Sequence, residues 1–416
     1  MQRILERIKG DRIIWSVVLV LSIVSLMGVY SFTGSLAYKH DKASHFYLIK
    51  QLMVLAFGLL IIYWVHKVNY TKFAKISVLL FAISIPLLIL TYFVGQKING
   101  GSRWIQVPVI RLTFQSSDFA KLALFMFLAR LLSVKQDSIK DLRKGFIPVL
   151  APVFITCALI APANLSTALM LGATCCILFF IGRVQVKHIL MLAGAGIVGV
   201  ALLFLVSKAT GIGRAATWEK RIADFRSSHK KDSTGKKGDD VFQVEQAKIA
   251  IANGGLFGRG PGHSIQRDYL PEAYSDFIYA SIIEEYGLVG GAVVIILYLI
   301  LLWRSILLFR RCPYAFGAFL AVGLTITFVF QAMLNMGVAV HLLPVTGLTL
   351  PMLSMGGSSI WFNSIAIGIV LSVSRYVDEM EGKKALVISE LDDEAAEEAP
   401  IEKSKLILPK KQPAMA

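Results

Sequence analysis

Four short stretches of the chain carry side chains able to bind or transform a ligand. In Gly100-Gly101-Ser102-Arg103-Trp104-Ile105, two glycines permit tight backbone and the Arg103 guanidinium offers a fork of donors matched to phosphate oxygens. In Gln115-Ser116-Ser117-Asp118-Phe119-Ala120-Lys121, Asp118 and Lys121 stand three apart, on one helix face, where opposite charges neutralise each other. The third stretch is Leu270-Pro271-Glu272-Ala273-Tyr274-Ser275-Asp276-Phe277-Ile278-Tyr279. A carboxylate there, among aromatics and with few cations beside it, is only partly hydrated, which favours it as a proton acceptor. The fourth runs Gly347-Leu348-Thr349-Leu350-Pro351 and then Ser354-Met355-Gly356-Gly357-Ser358-Ser359, small polar residues able to cradle a headgroup.

Each stretch also has a plain structural explanation. Arg103 can pair with lipid headgroups, and Asp118 with Lys121 can be an ion pair that only tolerates burial. Ser275 or Asp276 can be an ordinary helix N-cap, and the glycine–serine run can serve close helix packing. Together the four suit an amphiphile with an anionic head and a long tail; the reaction is not defined by them. Glu284 and Glu285 lie further on, and one of them is expected to meet a polar partner. The seven histidines have no ligand spacing, and Cys157, Cys175, Cys176 and Cys312 form no CxxC. No histidine or thiolate metal site and no disulfide is expected.

These side chains need a scaffold. Of the 416 residues 56% are hydrophobic, above the roughly 45–50% of soluble domains. The excess is gathered into runs such as Val17 to Phe32, Ile76 to Val94 and Ile189 to Val206, close to the ~20 residues that cross a bilayer core about 30 Å thick. A single soluble core does not bury so many such runs. The chain is therefore expected to be an all-α integral membrane protein of about ten transmembrane helices. Their places are near 13–33, 46–65, 75–94, 114–133, 146–161, 167–183, 188–207, 277–303, 314–337 and 356–376, with Pro148 and Pro152 bending the short fifth.

The formal net charge of +16 would suggest nucleic acid in a soluble protein. Here sixteen Lys and Arg residues fall in connections on one side and five in the short loops on the other. The positive-inside rule accounts for that bias, puts both termini in the cytoplasm and leaves no reason to expect a nucleic-acid partner. Residues 1–12 are then a cytoplasmic N-terminus and 13–377 the membrane domain. One long outer loop, about 208–276, has a polar middle at 227–240 expected to be mobile. It also carries a helix over Val241 to Asn253, with Val244, Ala247 and Ile251 on one face, expected to lie along the membrane surface. Residues 378–416, with ten acids, six bases and three prolines, are expected to be a largely disordered cytoplasmic tail.

In this order the four stretches resemble the SEDS family (shape, elongation, division and sporulation), the RodA/FtsW proteins, over about residues 10–378. The most specific part is Gly254-Gly255-Leu256-Phe257-Gly258-Arg259-Gly260 followed by residues 270–291. The wording of the fourth stretch is nearer the division branch, FtsW, than the elongation branch, RodA. The resemblance implies a peptidoglycan glycosyltransferase in the bacterial cytoplasmic (inner) membrane, at the division septum. It would polymerise lipid II, a disaccharide-pentapeptide on undecaprenyl pyrophosphate. Asp276 matches the family's catalytic aspartate and is expected to be a general base or the ligand of a divalent cation, Mg or Mn; no organic cofactor is implied. Arg103 and Lys121 are the implied pyrophosphate contacts. Glu272 is expected to tune Asp276 or orient the sugar, and Ser358 to make a further substrate contact. Implied partners are a class B penicillin-binding transpeptidase, other divisome proteins and membrane lipids. The alternatives are a lipid II flippase, which needs no base, a RodA-like elongation polymerase, and a division scaffold without activity.

The chain departs from the family pattern at two places. Gln115-Ser116-Ser117-Asp118 stands for Gln-Pro-Ser-Glu, with a shorter acid and a looser helix start. Ala161-Pro162-Ala163-Asn164-Leu165-Ser166-Thr167 stands for Gln-Pro-Asp-Leu-Gly-Thr, so a role needing negative charge at Asn164 is in doubt.

Overall fold

Apolar segments in hydrocarbon must pair their backbone groups internally, and single segments do so as helices. The computed structural model describes residues 9–34, 36, 44–98, 101–106, 113–210, 215–227, 239–270 and 273–398; parts of these, including 96–98, 101–103 and 384–398, are described by backbone alone. Its helices are α1 (Arg12–Phe32), α2 (Ser44–Val65), α3 (Thr71–Val94), α4 (Ser116–Val134), α5 (Ile147–Ile160), α6 (Leu165–Ile181) and α7 (Val186–Thr210). After them come α8 (Ala215–Ser227), α9 (Asp239–Gly254), α10 (Ile278–Arg311), α11 (Ala315–Ala339) and α12 (Ser358–Glu398).

Ten of these, α1 to α7 and α10 to α12, fall at the ten expected positions, and the chain is an all-α, multi-span membrane protein. Eight spans are long and apolar enough to cross a membrane by length and composition alone. The other two are α4, which carries Asp118, Lys121 and Arg130, and the shorter α6. Pro148 sits in the first turn of α5, where its missing N–H matters least, and Pro152 lies inside it.

α11 is the central helix. It packs against α4, α6, α10 and α12, and 83% of its apolar window is buried, against none of the corresponding window of α7 at the margin. One end of the bundle is tied by charge. Arg304 Nε lies 2.5 Å from Asp11 Oδ2, Lys9 Nζ lies 3.4 Å from Glu379 Oε1, and Arg375 Nη1 donates to the Lys67 carbonyl at 2.9 Å. The start of α1, the α2–α3 turn, the C-terminal part of α10 and the middle of α12 therefore meet at one end, as an even number of spans requires.

Three features differ from the sequence expectations. A three-stranded antiparallel sheet, β1 (Gln96–Ile98), β2 (Gly101–Gln106) and β3 (Thr113–Gln115), interrupts the all-helical pattern between α3 and α4. The alternating stretch there pairs as strands, with Trp104 opposite Gln115 and Ile105 opposite Phe114. α12 continues to Glu398, into the expected disordered tail. Residues 378–398 are rich in Glu, Ala, Leu and Lys, good helix formers, and no proline occurs before Pro400. Finally, α9 packs against α10 with Val244 and Ala247 buried and Ile251 partly buried against the core, joined by Ala250, which was not expected there. The 227–240 segment lies mostly outside the described residues, as do 399–416.

Candidate functional site

Asp276 sits in a turn, residues 273–277, that precedes α10, and is half-buried there. Phe277 is the N-cap residue of α10 and makes no side-chain cap bond. Ser275 Oγ donates to Asp276 Oδ1 at 3.1 Å. The turn is held from the fourth stretch: Ser354 Oγ donates to the Ser275 carbonyl at 2.6 Å, and Met355 N donates to the Tyr274 carbonyl at 3.0 Å. Gly347, at φ +68°, lies so near that a Cβ there would stand 3.6 Å from Asp276 Oδ2.

Two amides of α11 complete the frame. Gln331 and Asn335 are four apart and share a face. Asn335 Nδ2 donates to the Asp276 carbonyl at 2.9 Å and to the Leu348 carbonyl at 2.6 Å. Gln331 Nε2 donates to the Thr349 carbonyl at 2.9 Å, while its Oε1 accepts from Lys121 Nζ at 2.7 Å. Lys121 Nζ also lies 3.4 Å from Asp118 Oδ1, both side chains only 8% exposed. A cavity of about 20 Å³ lies beside this pair, lined by Asp118, Lys121, Thr327 and Asn363.

Behind the site, the glycine block clamps α10. Gly287 has φ 72° and ψ −174°, which breaks the helix. At that break, Leu288 N and Val289 N donate to the carbonyls of Gly255 and Leu256, and Arg259 N and Gly260 N donate to those of Glu284 and Glu285. Both glutamates are fully buried and both have partners. Glu284 accepts from Ser264 Oγ and from the N–H groups of Ile265 and Gln266; Glu285 accepts from Ser31 Oγ and Gly262 N. The loop after α9 thus satisfies the two carboxylates and fixes the helix that follows Asp276.

Of the residues singled out in the sequence, Asp276, Ser358 and Lys121 belong to the end of the bundle away from the Asp11–Arg304 pair, but not as one contact set. Lys121 reaches the Asp276 turn only through Gln331 and the 347–350 segment. Its ammonium is engaged by Asp118 and Gln331, so direct contact with a pyrophosphate is not what this geometry supports. Ser358 opens α12, and its Oγ accepts from Gln115 N at 3.4 Å, tying the sheet to that helix. Arg103 lies in β2 by its backbone, and its side chain is outside the described residues, as is the whole of Glu272. Asn164 caps α6 by accepting from Thr167 N at 3.4 Å, a task that needs an oxygen and not a charge. Gln331 and Asn335 were not singled out in the sequence, although two amides one turn apart in an apolar span are a signal for them.

Known proteins resemble this chain along most of its length. "Stage V sporulation protein E" of Bacillus subtilis is 36% identical over 376 residues, covering 89% of this chain and 98% of that one. The "Probable peptidoglycan glycosyltransferase FtsW" of Trichlorobacter lovleyi is 34% identical, covering 88% and 93%. The fold matches a chain of a peptidoglycan synthase complex with a TM-score of 0.66 at 24% identity, covering 88% of this chain and 98% of that one. It also matches the Thermus thermophilus rod shape determining protein RodA with a TM-score of 0.59 at 24% identity, covering 88% and 97%. The model of the FtsW, RodA and SpoVE family, described as "Cell cycle protein", matches residues 11–379, and the chain belongs to that family.

Proposed function

We propose that this protein is a peptidoglycan glycosyltransferase that polymerises lipid II, with Asp276 as the general base. One observation carries the assignment of the base: a half-buried carboxylate sits on a turn whose backbone carbonyls are held by the side chains of Asn335 and Ser354, where α10, α11 and the segment before α12 meet. Its activity is that named for relatives 29–34% identical to this chain. An acceptor sugar hydroxyl gives its proton to the Asp276 carboxylate as its oxygen attacks the anomeric carbon of a second lipid-linked sugar. The bond from that carbon to the lipid diphosphate breaks, and the diphosphate leaves with the electron pair. The segment from Gly347 to Leu350 lies against Asp276, with Gly347 beside its carboxylate.

Among the described residues no three His, Cys, Asp or Glu side chains gather around one point. A single carboxylate fits Mg²⁺ or Mn²⁺ held chiefly by water and substrate phosphates. Asp276 would hold such an ion, which when bound supplies positive charge to the leaving diphosphate. Arg103 is the other proposed source of that charge, Glu272 is proposed to orient the sugar, and Ser358 to line the substrate path. A class B transpeptidase is the proposed partner, in line with the solved complex that coordinates polymerisation and crosslinking. The division septum is the proposed location, with sporulation-specific wall synthesis the variant suggested by the Bacillus subtilis relative.

The test is a polymerisation assay with purified protein, its transpeptidase partner and lipid II. Wild type makes glycan chains, and Asp276→Ala makes none. Equal polymerisation by the variant would remove Asp276 from the mechanism. Lipid II movement without any chain formation by wild type would favour the flippase alternative.

A further inference from the structure

Asn335 is 1% exposed in the most buried span of the bundle. Both hydrogens of its amide are used, on the carbonyls of Asp276 and Leu348. That fixes the orientation of the group, because a flip would aim Oδ1 at two acceptors. Oδ1 itself is buried and has no hydrogen-bond partner among the described residues. A buried acceptor without a partner lowers stability, and a polar side chain within an apolar span is costly in any case. What the amide offers at this position is therefore its two bonds, to the Asp276 and Leu348 carbonyls.

What it holds is the height of the Asp276 turn against the Gly347–Leu350 segment. One turn earlier, Gln331 fastens the same segment at Thr349 and receives Lys121. We propose that Asn335 is a positioning residue for the reaction: its amide sets where the Asp276 carboxylate stands, and with Gln331 it registers that carboxylate against the Asp118–Lys121 pair of α4. This rests on the catalytic reading of Asp276 given above. Asn335 has no exposed atom to offer a substrate, so it acts through Asp276 alone.

The experiment compares wild type, Asn335→Ala, the isosteric Asn335→Asp and Asp276→Ala, each full-length and with the transpeptidase partner, in lipid II polymerisation. A displacement of the base by about 1 Å lowers the rate by roughly a hundredfold. We expect kcat of both Asn335 variants to fall by roughly tenfold to a hundredfold, with KM within about twofold of wild type, in proteins that remain monodisperse. Gln331→Ala is expected to give the same split, more weakly. An unchanged kcat, or a raised KM with kcat preserved, would overturn the proposal. So would failure of both Asn335 variants to fold, since the residue would then be structural. If Asp276→Ala polymerises normally, the catalytic reading itself fails; if it is inactive while both Asn335 variants match wild type, only the positioning role fails.

Discussion

Gly287 offers the sharpest test of how the site is held. Its φ of 72° and ψ of −174° fall in a region that residues with a Cβ essentially do not occupy, at a cost of up to about 3 kcal/mol. A Cβ there would also stand 2.2 Å from the Leu256 carbonyl oxygen and 2.5 Å from Gly258 N, both backbone atoms. The loop cannot yield by rotating a side chain. To make room it must withdraw, and the bonds from Leu288 N, Val289 N, Arg259 N and Gly260 N go with it, each worth about 1 kcal/mol net. Gly287→Ala should therefore destabilise the protein by roughly 4–7 kcal/mol, or leave it folded with the Gly255–Gly260 loop released. Gly255→Ala is the control: φ is +54°, but nothing lies within 4 Å of its added Cβ, so it should lose only about 1–2 kcal/mol. Thermal unfolding in detergent, with hydrogen exchange over residues 255–260, separates the two. Equal behaviour of the two variants would refute the interlock.

Three further outcomes follow from other contacts. Gly347→Ala at φ +68° should strain the segment beside Asp276 by about 1–2 kcal/mol and lower the polymerisation rate roughly tenfold, so an unchanged rate would separate Gly347 from the site. Asp11→Ala removes the cap that accepts from Ile13 N and Ile14 N and leaves Arg304 without this ion pair; a loss of about 2–3 kcal/mol is expected by thermal unfolding, falling to the cap's share of about 1 kcal/mol when Arg304 is already Ala. Burial, followed by the nearby cations Arg375 and Lys67, holds the His66 pKa below its ordinary 6.5, outweighing hydrogen bonds to the Tyr63 and Ile62 backbone. Because the folded protein resists protonating His66, stability should be full above pH 6.5 and decline as pH falls below it, and His66→Gln should flatten that decline in melting curves.

The spans were legible because hydropathy reports the lipid solvent directly: ten segments were expected and ten helices occupy them. What hydropathy does not report is contact between spans. Asn335 and Asp276 are 59 residues apart and Lys121 and Gln331 are 210 apart, and one sequence holds no record of such pairings. The two glutamates show the same limit. Their polarity in an apolar helix signalled partners, but those partners are mostly backbone N–H groups of a loop, and any residue supplies an N–H. The tail was misjudged for another reason. Charge and prolines suggested disorder, yet the prolines begin at Pro400, and up to Glu398 the composition is that of a helix continuing from a membrane span.

Lys121 and Asp118 form a fixed pair at the end of the bundle that holds Asp276. Lys121 and Asp118 are both buried and 3.4 Å apart. Moving the ammonium onto a diphosphate would strand the carboxylate in a poorly hydrated place, at a cost of several kcal/mol. The shorter acid does not weaken this hold, since residues three apart on α4 already face each other. The pair is therefore best suited to anchoring Gln331, and through it the segment against Asp276. Charge for a departing diphosphate then has to come from a group that is not already neutralised. Arg103 adjoins Trp104, which pairs with Gln115, and the Gln115 N–H meets Ser358 at the start of α12. That places the Arg103 backbone on a small sheet that packs against α3, α4 and α12. Arg103 is therefore the proposed source of that charge, and Arg103→Ala should lower the polymerisation rate while leaving the Asp118–Lys121–Gln331 contacts in place.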